Sequence, residues 1–349
     1  MTNWRRLVLA LASILVIGVA VAPAGLAKTT TTSTSTPPGG AKSVNPLDYP
    51  VGSPTVVNSW AVAPAGPSAS SIGTSERPYL SYSVTPGQVI HDAVIVYNYS
   101  NVPLTFRLYP TDAFNNADGS FDVLAGDQHP KDIGTWLALD QANISLAART
   151  QAVVPLTMKV PVQAAPGDHA GAILASSVAQ GTGADGKTVN VDRRTGTRIY
   201  VRVAGKLTPD LTIAKITNTY HPSMNPFGGK TDVTYRIENQ GNVRLAGQEK
   251  VKVHGLFGIG NHETKFVKVP ELLPGQGITL RTTFKKTPAG FLAFANVKLQ
   301  PTATGAQKYA LVSRTATTLA VPWSVVSLVV VAGLLAWSWR SYRRHRVAS

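Results

Sequence analysis

The sequence has no cysteine among its 349 residues. A disulfide-stapled fold is therefore excluded, as are a thiol nucleophile and a lipid-modified N-terminal Cys. Charged residues make up only 15% of the chain, and its 18 acids sit mostly in turns, so no facing carboxylate pair emerges for acid/base work. No Ser, His and Asp arrangement suits nucleophilic catalysis. His254 and His262 form a close pair, with Glu263 beside the second, but their spacing matches no zinc motif. Gly255, Gly258 and Gly260 are interleaved by Leu256, Phe257 and Ile259 and make no phosphate cradle. The turn with Asp112, Asn115, Asn116, Asp118, Ser120 and Asp122 lacks EF-hand spacing and reads as a hairpin turn, with a Ca²⁺ role left open. The expectation is a non-enzymatic protein that needs no cofactor.

Two long apolar runs are present, one at each end. Leu319 to Trp339 carries no charge, and a helix of that length, rising about 1.5 Å per residue, crosses a hydrocarbon core about 30 Å thick. Trp323, Trp337 and Trp339 fall where interfacial aromatics are favoured. Arg340, Arg343, Arg344 and Arg346 follow, and the positive-inside rule places this basic tail, 340–349, in the cytoplasm. At the other end Arg5 and Arg6 precede apolar Leu7 to Ala22, and Gly25-Leu26-Ala27 offers a cleavage site, so 1–27 reads as a signal peptide. The expected location is the cell membrane, single-pass, with the ectodomain outside. Between these ends 27 basic residues face 18 acidic ones, about +9. Outside a cell such charge points to anionic wall polymer or lipid headgroups and away from nucleic acid.

Residues 28–54, rich in Thr, Pro and Gly, cannot bury enough apolar surface to fold and read as a flexible leader. From there short alternating segments recur every eight to twelve residues, separated by turn chemistry and without an amphipathic helix. Val89 to Tyr97 and Val102 to Tyr109 flank Asn98-Tyr99-Ser100-Asn101 and read as a hairpin. Trp136-Leu137-Ala138-Leu139 reads as a strand and Gly181 to Arg194 as a loop. The predicted fold is all-β: two tandem immunoglobulin-like β-sandwiches, 55–205 and 206–316, then a transmembrane helix at 319–339.

The second sandwich repeats the first. Asn98, Ser100, Asn101, Val102 and Leu104 match Asn239, Gly241, Asn242, Val243 and Leu245 without a gap, giving N-x-[S/G]-N-V-x-L. Leu146 to Thr150 is answered by Leu273 to Gly277, and Pro166-Gly167 by Pro288-Ala289-Gly290. Asn and Gly tolerate the left-handed conformations that tight reversals require.

This layout resembles the WxL-interacting proteins of Gram-positive bacteria. The residues that carry the resemblance are Tyr82 to Gln88, Val94 to Leu108, Asp112-Ala113 with Asp118-Gly119, Ile144-Ser145-Leu146 before Val153, and Pro166 to Ile173. It implies a peptidoglycan-binding first domain, a second domain that binds a host, and surface-protein partners bearing Trp-x-Leu. The chain has no Trp-x-Leu itself, as befits the interactor, and its Thr-rich leader departs from the pattern.

The expected function is binding of cell-wall polymer (peptidoglycan), of other exported surface proteins, or of both. Arg149, Lys159, Arg193, Arg194, Arg198 and Arg202 are the candidate polymer-binding residues. Protein partners are expected at an exposed strand edge or between the domains. The alternatives are a membrane-tethered assembly chaperone for exported proteins, which a long exposed edge strand favours, and an accessory carbohydrate-binding subunit of a wall-modifying enzyme.

Overall fold

The structure, a computed structural model, describes residues 58–66, 77–182, 188–225, 228–303 and 307–347. The signal peptide and leader expected from sequence lie outside them. The first sandwich contains β1 (Trp60–Pro64), β2 (Leu80–Val84), β3 (Val89–Asn98), β4 (Leu104–Asn115), β5 (Phe121–Val123), a helical turn α1 (Ile133–Trp136), β6 (Leu137–Leu139), β7 (Asn143–Leu146), β8 (Gln151–Lys159), β9 (Gly167–Thr182) and β10 (Thr188–Val203). One sheet runs β1-β3-β8-β6 and the other β2-β10-β9-β4-β5, with β7 also on β4. Alternate residues of both, among them Leu80, Val94, Phe106, Leu156, Ile173 and Ile199, interdigitate in one buried core.

The chain changes sheets between its first two strands. β1 pairs antiparallel with β3, whereas β2 pairs in parallel with β10. Arg77 fixes this switch by donating to the Ala65 carbonyl at 2.8 Å and to both Asp92 oxygens at 2.9 and 3.1 Å. Burial favours the neutral Asp92 carboxyl, but bonds from Arg77 and Tyr82 outweigh it and hold its pKa below the ordinary value.

The second sandwich contains β11 (Leu211–His221), β12 (Gly229–Asn239), β13 (Leu245–Gly255), β14 (His262–Glu263), β15 (Val267–Leu272), β16 (Gly277–Thr287), β17 (Phe291–Ala303) and β18 (Val312–Ala320). Its sheets are β11-β12-β16 and β14-β13-β17-β18, with β15 on β13. Leu211, Val233, Tyr235, Ile237, Leu245, Val251 and Leu299 fill the space between them. The helix α2 (Trp323–Val347) follows. The protein is therefore all-β, two immunoglobulin-like sandwiches and one apolar helix.

The Val94–Leu108 segment is an arch rather than the expected hairpin: β3 lies in one sheet and β4 in the other. The cause is Asn98, whose buried amide donates to Val102, Leu146 and Ala147 carbonyls at 3.0, 3.2 and 2.9 Å and accepts from Ser100 N–H at 2.9 Å. These bonds reach a strand of the opposite sheet, which a hairpin turn does not do. Asn239 repeats the device, donating to Val243 and Leu272 at 2.8 and 2.9 Å and accepting from Gly241 N–H at 3.1 Å. The repeated motif is thus a repeated arch. Its partner strand is shifted by one from the expected alignment: Asn98 N–H donates to Thr150 and Asn239 N–H to Gln276, so Leu146 corresponds to Leu272 and not Leu273.

Three further expectations are corrected. Residues 188–194 are strand rather than loop, because the β9–β10 ladder continues from Gly167↔Val203 to Thr182↔Thr188. Trp136 ends the helical turn α1, and the strand begins only at Leu137. Leu319 belongs to β18, paired with Leu292, and not to the membrane anchor. Pro322 sets that boundary: proline disfavours helical backbone in the residue before it and suits a helix start, and its carbonyl accepts the N–H groups of Val325 and Val326. The helix runs beyond the expected end at Trp339, and the stretch long and apolar enough to cross a membrane is Trp323–Arg343.

Candidate interaction edge

β9 and β10, each 16 residues long, form the longest ladder of the first sandwich. The β-branched residues of β10 favour extended backbone, and Ile199, Val201 and Val203 point into the core. β4 pairs with β9 only over Gly171–Ser176, and β2 pairs with β10 only over Ile199–Val203. The outer half of the hairpin is therefore two-stranded. Among the described residues, Thr188 to Arg198 hydrogen-bond to no strand on the side away from β9, although β1 packs against β10 there through Trp60 and Arg193. Val178 and Val191 stand 66% and 43% exposed on this projection, apolar residues with no core to fill.

The root of the hairpin is firmly held. Trp60 of β1 donates its Nε1–H to the Ala175 carbonyl at 3.2 Å, and Arg193 covers the Trp60 ring at 5.2 Å. Asp192 accepts the Ser176 hydroxyl, and Arg194 donates to the Leu124 carbonyl at 2.9 Å. A free edge on a braced ladder offers unpaired backbone donors and acceptors to an extended peptide at little entropic cost.

The six candidate basic residues do not all share one surface. Arg194 and Arg198 share the outer face of β10 with Arg202, and Arg198 lies 4.4 Å from the Phe121 ring. Arg193 is on the opposite face. Lys159 ends β8 in the other sheet, opposite Val89, and Arg149 sits in a turn at φ 58°, where the second sandwich has Gly275 at φ 72°. Arg202 is not displayed to a ligand: its Nε and Nη2 donate to Asp168 at 2.6 and 2.8 Å.

Asp168 belongs to a joint between the sandwiches that the sequence did not announce. Its carboxylate also accepts the backbone N–H of Arg244 at 2.8 Å, and the Arg244 guanidinium lies 3.8 Å from the Tyr200 ring and 3.4 Å from Glu271. Asn242 donates to the Pro166 and Lys206 carbonyls at 2.8 and 2.9 Å, and Asn115 donates to Glu271 and accepts from Leu273 N–H. Leu273 packs with Ala170 and Tyr200 in a small apolar cluster between the two cores. Gly167, at φ 126°, has the Asn242 carbonyl where a Cβ would stand, so only glycine lets the chains approach this closely. The faint signal in sequence was the repeated Asn: Asn242 sits where Asn101 does, but on the side that meets the other domain.

Beside the joint, His169 packs 4.7 Å from Trp136, with Nδ1 at 2.8 Å from both Asp132 oxygens and Nε2 at 2.9 Å from the Ala165 carbonyl. Burial lowers its pKa, but two acceptors facing two ring nitrogens outweigh burial and raise it, so the imidazolium is favoured. The acidic segment's oxygens are taken up by protein N–H groups, and Asp112 and Asn115 lie in β4 rather than in the expected turn. Asp112 accepts from the N–H groups of Lys131, Asp132 and Gly134, while Asn116 and Asp118 accept from Ser120. His254 and His262 each face a nearby carbonyl, of Gly255 and Gly260, and among the described residues no cluster of metal-ligating side chains forms.

No protein-family model matches this chain, and no curated protein matches it. Solved structures similar to it include the complex of a chaperone and tip adhesin of CFA/I fimbriae, at 13% identity over 76% of this chain and 99% of that one, TM-score 0.36. The class 5 fimbriae chaperone CfaA is similar at 16% identity over 70% and 97%, TM-score 0.32. The Salmonella enterica SafA pilin in complex with the SafB chaperone is similar at 11% identity over 75% and 98%, TM-score 0.34. Nothing about function follows from likeness at this level.

Proposed function

We propose that this chain is a non-enzymatic, membrane-anchored protein that captures extended segments of other exported proteins on the free edge of β10. The carrying observation is that Thr188–Arg198, among the described residues, pairs with β9 alone, on a hairpin whose root is braced by Trp60 and Arg193. Main-chain bonding supplies affinity in such strand addition, and alternate side chains supply selectivity. The helix Trp323–Arg343, followed by basic residues, tethers the sandwiches to the membrane with the ectodomain outside. This reading favours the assembly role over wall-polymer binding, because the six basic candidates are dispersed or already engaged.

The test uses the full chain in lipid nanodiscs as bait for exported proteins and, separately, for purified cell walls, at low and high salt. The reading expects a discrete set of proteins whose retention survives salt and is lost in Val191→Asp. Salt-sensitive retention of walls alone, unchanged by that substitution, contradicts it.

A further inference from the structure

Among the described residues, three of the four non-glycine residues at positive φ lie at one end of the second sandwich: Phe257 (φ 55°), Lys286 (φ 58°) and Phe291 (φ 64°). Side chains other than glycine adopt this region at a cost, and aromatic residues held there in solvent gain no packing in return. Phe257 is 97% exposed and Phe291 58%. Ile259, in the same turn as Phe257, is 54% exposed. Met224 is 90% exposed in the loop from β11 to β12.

Strand register shows that these loops share one end. Thr287, which ends β16, pairs with Gly229, which follows the Met224 loop. Gly255, which opens the Phe257 turn, pairs with Ala293, and Phe291 pairs with Ala320. Ala320 is the last strand residue before α2, separated from Trp323 by only Val321 and Pro322. Three Cα steps span at most about 11 Å, and antiparallel partners lie about 5 Å apart. The first turn of the membrane helix is therefore tethered within reach of Phe291. Lys285 and Lys286 are exposed at the same end and enter no ion pair among the described residues.

We infer that this end of the second sandwich docks on the membrane surface from which α2 emerges, with Phe257, Ile259, Met224 and Phe291 entering the headgroup region. The inference rests on the reading of α2 as a membrane span. Exposed apolar groups mark a binding surface, and here the tether selects lipid as the occupant. Aromatic rings favour the interface, and Lys285 and Lys286 suit anionic headgroups. Docking fixes the height and tilt of the sandwiches, and so the direction in which the β10 edge faces.

The chain's lack of cysteine makes single-site labelling direct. Full-length variants Phe257→Cys, Ile259→Cys, Gln307→Cys and Leu335→Cys carry an environment-sensitive fluorophore and are reconstituted in vesicles of phosphatidylcholine and phosphatidylglycerol, with nitroxide lipids as quenchers. Leu335 reports the span, and Gln307, exposed at the opposite end of the sandwich, reports solvent. Docking predicts deep quenching at Leu335, shallow quenching with a blue shift at Phe257 and Ile259, and neither at Gln307. It also predicts weaker quenching at Phe257 in the Lys285→Glu/Lys286→Glu variant. Deep quenching at Leu335 with Phe257 behaving like Gln307 overturns docking while leaving the span intact. An unquenched Leu335 overturns the span and docking together. A Phe257 label shielded from water yet blind to lipid quenchers identifies a protein neighbour or second copy there and overturns the lipid assignment.

Discussion

The Asp168 carboxylate of the first sandwich accepts the backbone N–H of Arg244 in the second at 2.8 Å, while Arg202 grips it from its own side at 2.6 and 2.8 Å. One buried acid thus ties together two domains joined by a short linker. Removing one partner of a buried ionic network strands the other, at a cost of about 3 kcal/mol. Asp168→Asn should lower stability by about that amount and split a single cooperative unfolding transition of the two sandwiches into two. Calorimetry of the full chain in detergent reads both effects.

Asn98 and Asn239 hold equivalent arches through bonds from one amide to several carbonyls. Replacing either by Ala leaves those buried acceptors unsatisfied, for a loss of about 2 kcal/mol or more in the sandwich that carries it. Hydrogen exchange should show Asn98→Ala loosening amides of the first sandwich and Asn239→Ala those of the second.

These Asn residues mark what the sequence could and could not reveal. Alternation, turn chemistry and the N-x-[S/G]-N-V-x-L repeat were legible because each is a local property. Whether Asn98 closes a hairpin or an arch depends on carbonyls at Leu146 and Ala147, nearly fifty residues away, and no local pattern encodes that. The β10 edge was hidden likewise: Gly181 to Gly186 looks like loop, and only pairing with β9 makes 188–194 a strand. The joint was least visible, since Asp168 and Arg244 are ordinary surface types until the two domains meet.

His169 makes the first sandwich sensitive to pH. Burial pulls its pKa down, but Asp132 and the Ala165 carbonyl prevail, so the folded value lies above the ordinary 6.5. The imidazolium's contribution is then full below 6.5 and is lost as pH rises through the folded value. The melting temperature of wild type should fall over that window relative to His169→Gln, and the difference between the two should flatten at higher pH.

The placement of Leu319 in β18 separates folding from insertion. An Arg at the centre of a membrane helix costs about 2.5–3.5 kcal/mol of insertion free energy. Leu335→Arg should reduce membrane integration of the full chain. Leu319→Arg, on an exposed strand position before Pro322, should leave it unchanged. Alkaline extraction of membranes distinguishes the two.

The claim that β10 captures extended chain is tested most directly by a photo-crosslinking residue at Val191, in the full protein in its native membrane, with Gln307 as control. Strand capture predicts adducts at Val191 whose attached peptides come from exported proteins and align in register with Thr188–Arg198, and none at Gln307. Adducts of glycan alone, or equal labelling at both positions, would contradict it.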